Sequence, residues 1–200
     1  MTRRPVSATG LAIALCVLAL FVARSGGAWS DEWGMGQLME ELARHKSGQA
    51  HFVEKRFLSV LDAPLVSSGD LSFTAPDRLE KRTLLPKPEL VQLDGDSVTI
   101  DRGRQHLSFG LDEHPELGAL IESLRATLNG NRQALERNYS LTLSGRRERW
   151  QLALVPNDAR VAALVAHLNL TGSNGRVLGV EYIEPNGDRS IMTIEPVESE

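Results

Sequence analysis

The sequence predicts an α+β fold that is mainly antiparallel β: an unclosed half β-barrel with two to three helices over a hydrophobic cavity. Three observations predict it. Nine to eleven short strand signals, joined by brief turns, fill most of residues 51–194. Only two strong amphipathic helices accompany them, one before the strands and one among them; these are too few to cover both faces of a flat sheet, and a twisted sheet of this size curls. From Trp29 onward the chain holds only nine aromatic residues, so the interior is lined by Leu, Val, Met and Phe without being plugged by rings. Such a lining admits an apolar guest. The same residues also make an ordinary packed core, which periodicity alone favours.

At the N-terminus, Arg3 and Arg4 precede an uncharged apolar run from Leu11 to Val22, and Gly26, Gly27 and Ala28 follow. This is the three-part layout of a secretory signal peptide. The 12 residues of the run fall short of the roughly 20 that cross a bilayer as a helix. The reading is therefore a leader over residues 1–28 cut after Ala28, with a cut after Ala23 as the alternative, and one exported domain over residues 29–200. Cys16 does not read as a lipoprotein acylation site, because it lies inside the run and follows Leu15 where a small residue is wanted. Beyond the leader there is no cysteine, which excludes disulfides and thiolate metal sites. The leader carries Arg3, Arg4 and Arg24 and no acid, leaving 19 basic against 26 acidic residues, a balance of −7. An acidic domain without a basic tract does not suit nucleic acid.

From Asp31 to Gly48, Met35, Leu38, Met39, Leu42 and Ala43 recur at helical spacing, with acids near the start, bases near the end and Gly48 as a stop. Strands follow at His51–Leu61 and from Leu65, where Leu71 and Phe73 share one face and Asp70 and Ser72 the other. Further strands fit Arg78–Leu85, Glu89–Leu93, Val98–Asp101 and Gln105–Phe109, separated by short Pro- and Gly-bearing turns. A second helix opens at Pro115, carries the stripe Leu117, Leu120, Ile121, Leu124 and Leu128, and ends at Asn129-Gly130. A third helical piece fits Gln133–Arg137. Strands then resume at Tyr139–Leu143, Trp150–Val155, Ala163–Leu170, Arg176–Ile183 and Ser190–Ile194, with hairpin turns at Ser173-Asn174-Gly175 and Pro185-Asn186-Gly187-Asp188.

The stretch from Ala50 to Ile100 holds an ordered set of elements: Phe52, Glu54 and Lys55; Gly69, Leu71 and Phe73; Pro76; Leu79; Pro86; then Val91, Asp94 and Gly95. In that order they resemble the periplasmic outer-membrane lipoprotein carriers, the LolA family. The resemblance implies a half-barrel with a helical lid and a non-enzymatic carrier of acyl chains. Its cargo would be a lipoprotein or another lipid-linked product, taken from an inner-membrane transporter as donor and delivered to an outer-membrane acceptor by a monomer in the periplasm. It also admits a second role, a periplasmic lipid- or peptide-sensing regulatory subunit. The chain departs from the carriers at Ala75, where they have an arginine that tethers the lid, and at Glu80-Lys81-Arg82, where an aromatic is common.

On this resemblance Leu71, Phe73, Leu79, Leu117, Ile121 and Leu124 are the expected lipid-binding residues, and Met35, Leu38, Met39 and Leu42 the expected lid face; each also suits plain packing. Arg56 reads as a solvated strand-face arginine, with the lid-tethering role lost at Ala75 as the alternative. The five histidines show no ligand spacing, Asp94, Asp96 and Asp101 read as turn chemistry, and no G-x-S-x-G elbow, glycine-rich phosphate loop or nucleophilic cysteine is present beyond the leader. No metal, cofactor or catalytic residue is expected.

Overall fold

Helix α1, Met35–Arg44, starts where the Gly34 N–H donates to the Gln37 side-chain oxygen at 2.9 Å, and ends at His45. It belongs to a computed structural model that describes residues 33–197. The leader, its cleavage position and the acids Asp31 and Glu32 lie outside the described residues. Gly48 is not the helix stop: it lies in β1 (Ser47–Phe57) opposite Phe73, because the cross-strand ladder claims the chain from Ser47 onward.

Strands β2 (Leu65–Thr74), β3 (Arg78–Leu85), β4 (Glu89–Asp94), β5 (Ser97–Arg102) and β6 (Gln105–Gly110) follow as a meander. A 3-10 turn at Leu111–Glu113, helix α2 (Pro115–Leu128) and helix α3 (Arg132–Asn138) interrupt it. Strands β7 (Tyr139–Arg146) and β8 (Arg149–Pro156), the one-turn helix α4 (Ala159–Ala162), and strands β9 (His167–Ser173), β10 (Arg176–Ile183) and β11 (Arg189–Pro196) complete the described chain. The expected strand at Ala163–Leu170 needs correction. Asp158 caps the chain into α4 by accepting from the Arg160 and Val161 N–H groups, and the strand begins only at His167. That local cap and the alanines after it win over the strand reading.

All eleven strands form one antiparallel sheet in the order β6-β5-β4-β3-β2-β1-β11-β10-β9-β8-β7. Strands β6 and β7 are its two edges and do not pair, so the barrel stays open. The segment joining those edges is the helical insertion, which must therefore cross from one side of the sheet to the other.

Register assigns the faces. Phe52 stands opposite Ile194 and Gly69, and following partners outward from it puts Leu71, Phe73, Leu79, Leu93 and Val98 on the same face as Leu170, Leu152 and Trp150. This inner face carries the core. Its first cluster joins Leu38, Met39 and Leu42 of α1 to Ala119 and Ala126 of α2, Leu135 of α3, and Tyr139, Trp150, Leu152, Leu154 and Leu170 of the sheet. A smaller cluster joins Leu93, Val98 and Leu111, with Leu117 and Ile121 packed on it.

Two glycines hold α1 in place. A Cβ at Gly130 would lie 1.9 Å from the Met39 carbonyl oxygen, and its φ of +64° suits only a residue without one. At the β9–β10 turn, where Asn174 has φ 51°, a Cβ at Gly175 would approach the Glu41 carbonyl oxygen to 2.6 Å.

Candidate functional site

The inner face divides into two halves of different character. On β7 to β9 the inner face is the more deeply buried, beneath α1, α2 and α3: Tyr139, Trp150, Leu152, Leu154 and Leu170 are buried, while Leu141, Leu143 and Leu168, with Val177 and Val180 of β10, are half-buried against them. Of the large apolar side chains on the inner face of β2 to β6 only Leu93 and Val98 are buried, while Leu71, Phe73, Leu79, Val91, Ile100 and Phe109 stay half-exposed and Leu107 is 55% exposed.

Helix α2 explains the difference. Its small residues Ala119, Ser123, Ala126 and Thr127 are buried. They lie on the opposite side of the helix from Leu117, Ile121, Leu124 and Leu128, given 100° per residue. The small face lets α2 sit close to its neighbours, with the Ser123 and Thr127 hydroxyls donating to the carbonyls four residues back, at 2.8 and 2.9 Å. The Leu face is thereby left for the open half of the sheet. Leu117 and Ile121 pack on the second cluster and Leu124 is 46% exposed.

Of the expected lipid-binding residues, Leu71, Phe73 and Leu79 share the inner face of the sheet, Leu79, Leu117 and Ile121 pack on the second cluster, and Leu124 is 46% exposed. The expected lid residues are elsewhere. Leu38, Met39 and Leu42 are buried and Met35 half-buried, all in the first cluster with the more deeply buried half. Two open surface depressions, of about 540 and 530 Å³, lie beside Trp150 and at the β9–β10 turn, and neither is lined by any of these ten residues.

A polar group occupies the middle of the inner face. Glu54 follows Phe52 at i+2, and one of its carboxylate oxygens accepts from Lys81 Nζ at 2.5 Å while the other accepts from Ser190 Oγ at 2.5 Å. The Lys81 ammonium also lies 4.9 Å from the centre of the buried Phe52 ring. Gly69 makes this possible. It stands between Phe52 on β1 and Thr83 on β3, and without a side chain there Lys81 reaches across β2. Burial opposes the Glu54 charge most strongly, but the Lys81 and Ser190 hydrogen bonds, with the nearby Lys81 and Arg56 charges, outweigh it and hold the carboxyl below the ordinary glutamate value. Arg56 lies on this same face and pairs with Glu184 at 2.8 Å. Sequence reasoning missed the trio, although the period-2 step from Phe52 to Glu54 already placed a carboxylate on the buried face.

Among the described residues, no three His, Cys, Asp or Glu side chains gather as a metal site, and no helix is long and apolar enough to cross a membrane.

The family described as outer membrane lipoprotein carrier protein LolA-like matches residues 28–194. No curated protein matches the chain. Among solved structures, a LolA superfamily protein from Nitrosomonas europaea is 10% identical at a TM-score of 0.40, covering 82% of this chain and 93% of its own. A DUF1329 family protein from Desulfovibrio piger is 10% identical at 0.43, covering 80% and 88%. The MucA/MucB complex from Pseudomonas aeruginosa includes a chain 18% identical at 0.38, covering 80% of this chain and 55% of that one.

Proposed function

The chain belongs to the LolA-like outer membrane lipoprotein carrier family, and from that premise we propose that it is a carrier for the acyl chains of a lipoprotein or another lipid-linked product. Its family is one of binding and carrier proteins, not enzymes. In this reading residues 1–28 are the export leader, the rest works as a monomer in the periplasm, and cargo passes from an inner-membrane transporter to an outer-membrane acceptor. The acyl chains lie on Leu71, Phe73 and Leu79, under Leu117, Ile121 and Leu124 of α2. Helix α1, with Met35, Leu38, Met39 and Leu42, is the anchored part of the roof, and α2 is the part that meets cargo.

One observation carries the reading: Leu79, Ile100 and Phe109 of the sheet and Leu117 and Ile121 of α2 pack around one small cluster while remaining half-exposed, with Leu124 46% exposed beside them. Each methylene shielded there is worth about 0.8 kcal/mol, so roughly ten of them offer about 8 kcal/mol before ordering costs, on the scale of micromolar retention.

The test is to purify the exported protein, extract it for mass spectrometry, and titrate it with a fluorescent fatty-acyl probe. Co-purified lipid or saturable probe binding that falls at least fivefold in Leu124→Glu supports the reading. Neither bound lipid nor probe binding would sink it.

A further inference from the structure

The acyl-chain reading accounts for the apolar half of the inner face and leaves unexplained why a charged trio sits at its border. Lys81 is flanked on the inner face by Leu71 and Val91, its cross-strand partners, both half-exposed. Lys81 follows Leu79 by two residues on the same face, so a chain laid over Leu79 and running along β3 in that direction meets the Lys81 ammonium next.

The trio's hydrogen bonding says what it can accept. Both Glu54 oxygens are engaged, one by Lys81 and one by Ser190. An ammonium has three donors, Glu54 takes one of them, and 32% of the Lys81 side chain is exposed. The unfilled capacity is thus a donor, and it selects an acceptor. The charges decide which acceptor: Glu54 neutralises Lys81 and Glu184 neutralises Arg56, so no net positive charge remains to favour a phosphate over a neutral oxygen.

We propose that Lys81, set by Glu54, Ser190 and the Phe52 ring, is the site that holds the ester or amide carbonyl from which the cargo's acyl chains begin. This rests on the carrier reading above and adds to it that the cargo is recognised at its linkage as well as by its chains. The free energy comes from a charge-assisted hydrogen bond to a half-buried ammonium whose position Glu54 already fixes.

The experiment compares two fluorescent ligands on the full chain, a pyrenyl fatty-acid methyl ester and a pyrenyl alkane of equal length. Wild type should bind the ester about tenfold more tightly. Lys81→Met keeps the apolar stem and removes the donors, and the double variant Glu54→Leu with Lys81→Met leaves no buried carboxylate unpaired, which guards against a folding defect. Both variants should hold the alkane as wild type does and lose the ester preference. Equal affinity for the two ligands in wild type, or an undiminished preference in the folded double variant, overturns the proposal while leaving the carrier reading intact. Binding of neither ligand by wild type overturns both.

Discussion

Glu54 is a carboxylate buried on the face that carries the core, held ionised by Lys81 and Ser190. Because its folded pKa lies below the unfolded one, the group contributes stability above the ordinary glutamate value, about 4.3, and loses that contribution as pH falls through the folded value. Urea unfolding across a pH series should show wild type exceeding Glu54→Gln at neutral pH, with the gap closing below that value. A gap independent of pH would mean that the ion pair does not form. At the same scale the strand alternation was legible: Leu71 and Phe73 share the inner face, as their spacing requires. The partner of Glu54 was not, because Lys81 lies 27 residues away and meets it only across Gly69.

The helices differ in how their faces are used. On α1 the Met and Leu stripe was readable from spacing and is buried, Leu38 completely. Leu38→Ala should cost about 3 kcal/mol in denaturant unfolding, from lost burial and the cavity left behind. Gly130→Ala should cost at least about 1 kcal/mol, since it adds a Cβ at positive φ against the Met39 carbonyl. On α2 the Leu stripe was equally readable, but the face that is fully buried is the small-residue one, while Leu117 and Ile121 pack half-exposed. Hydrophobicity patterns rank side chains by apolar character and give little weight to Ala, Ser and Thr, whose value here is that they permit close approach. Leu124→Glu should accordingly leave stability within about 0.5 kcal/mol; a large loss would show that the Leu face is sealed after all.

At the scale of the whole molecule, an open barrel with an incompletely covered apolar half still exposes apolar surface in its folded state, and a bound chain buries it. Ligand at about a hundred times its dissociation constant stabilises by about 2.7 kcal/mol, which for a domain of this size raises Tm by about 5–10 °C. Thermal melting with and without a long-chain fatty acid measures this. An unchanged Tm at saturating ligand would indicate that the guest does not engage the folded sheet.

The amino-acid order alone determined, to within a residue or two, the strands from Arg78–Leu85 to Gln105–Phe109, the Pro115 start of α2, the hairpin turns and the resemblance to lipoprotein carriers, because each rests on contacts between neighbours in the chain or on spacing along it. Asp158 shows where such signals compete, since the helical turn it caps at Ala159–Ala162 delays the expected strand from Ala163 to His167. Only the tertiary structure decided which half of the inner face is the more deeply buried, which side of α2 is fully buried, and that Glu54 meets Lys81 and Ser190. The last of these lies 136 residues from Glu54. Those outcomes depend on strand register, the gap left by Gly69 and the volume between packed elements, none of which is written at any single position of the sequence.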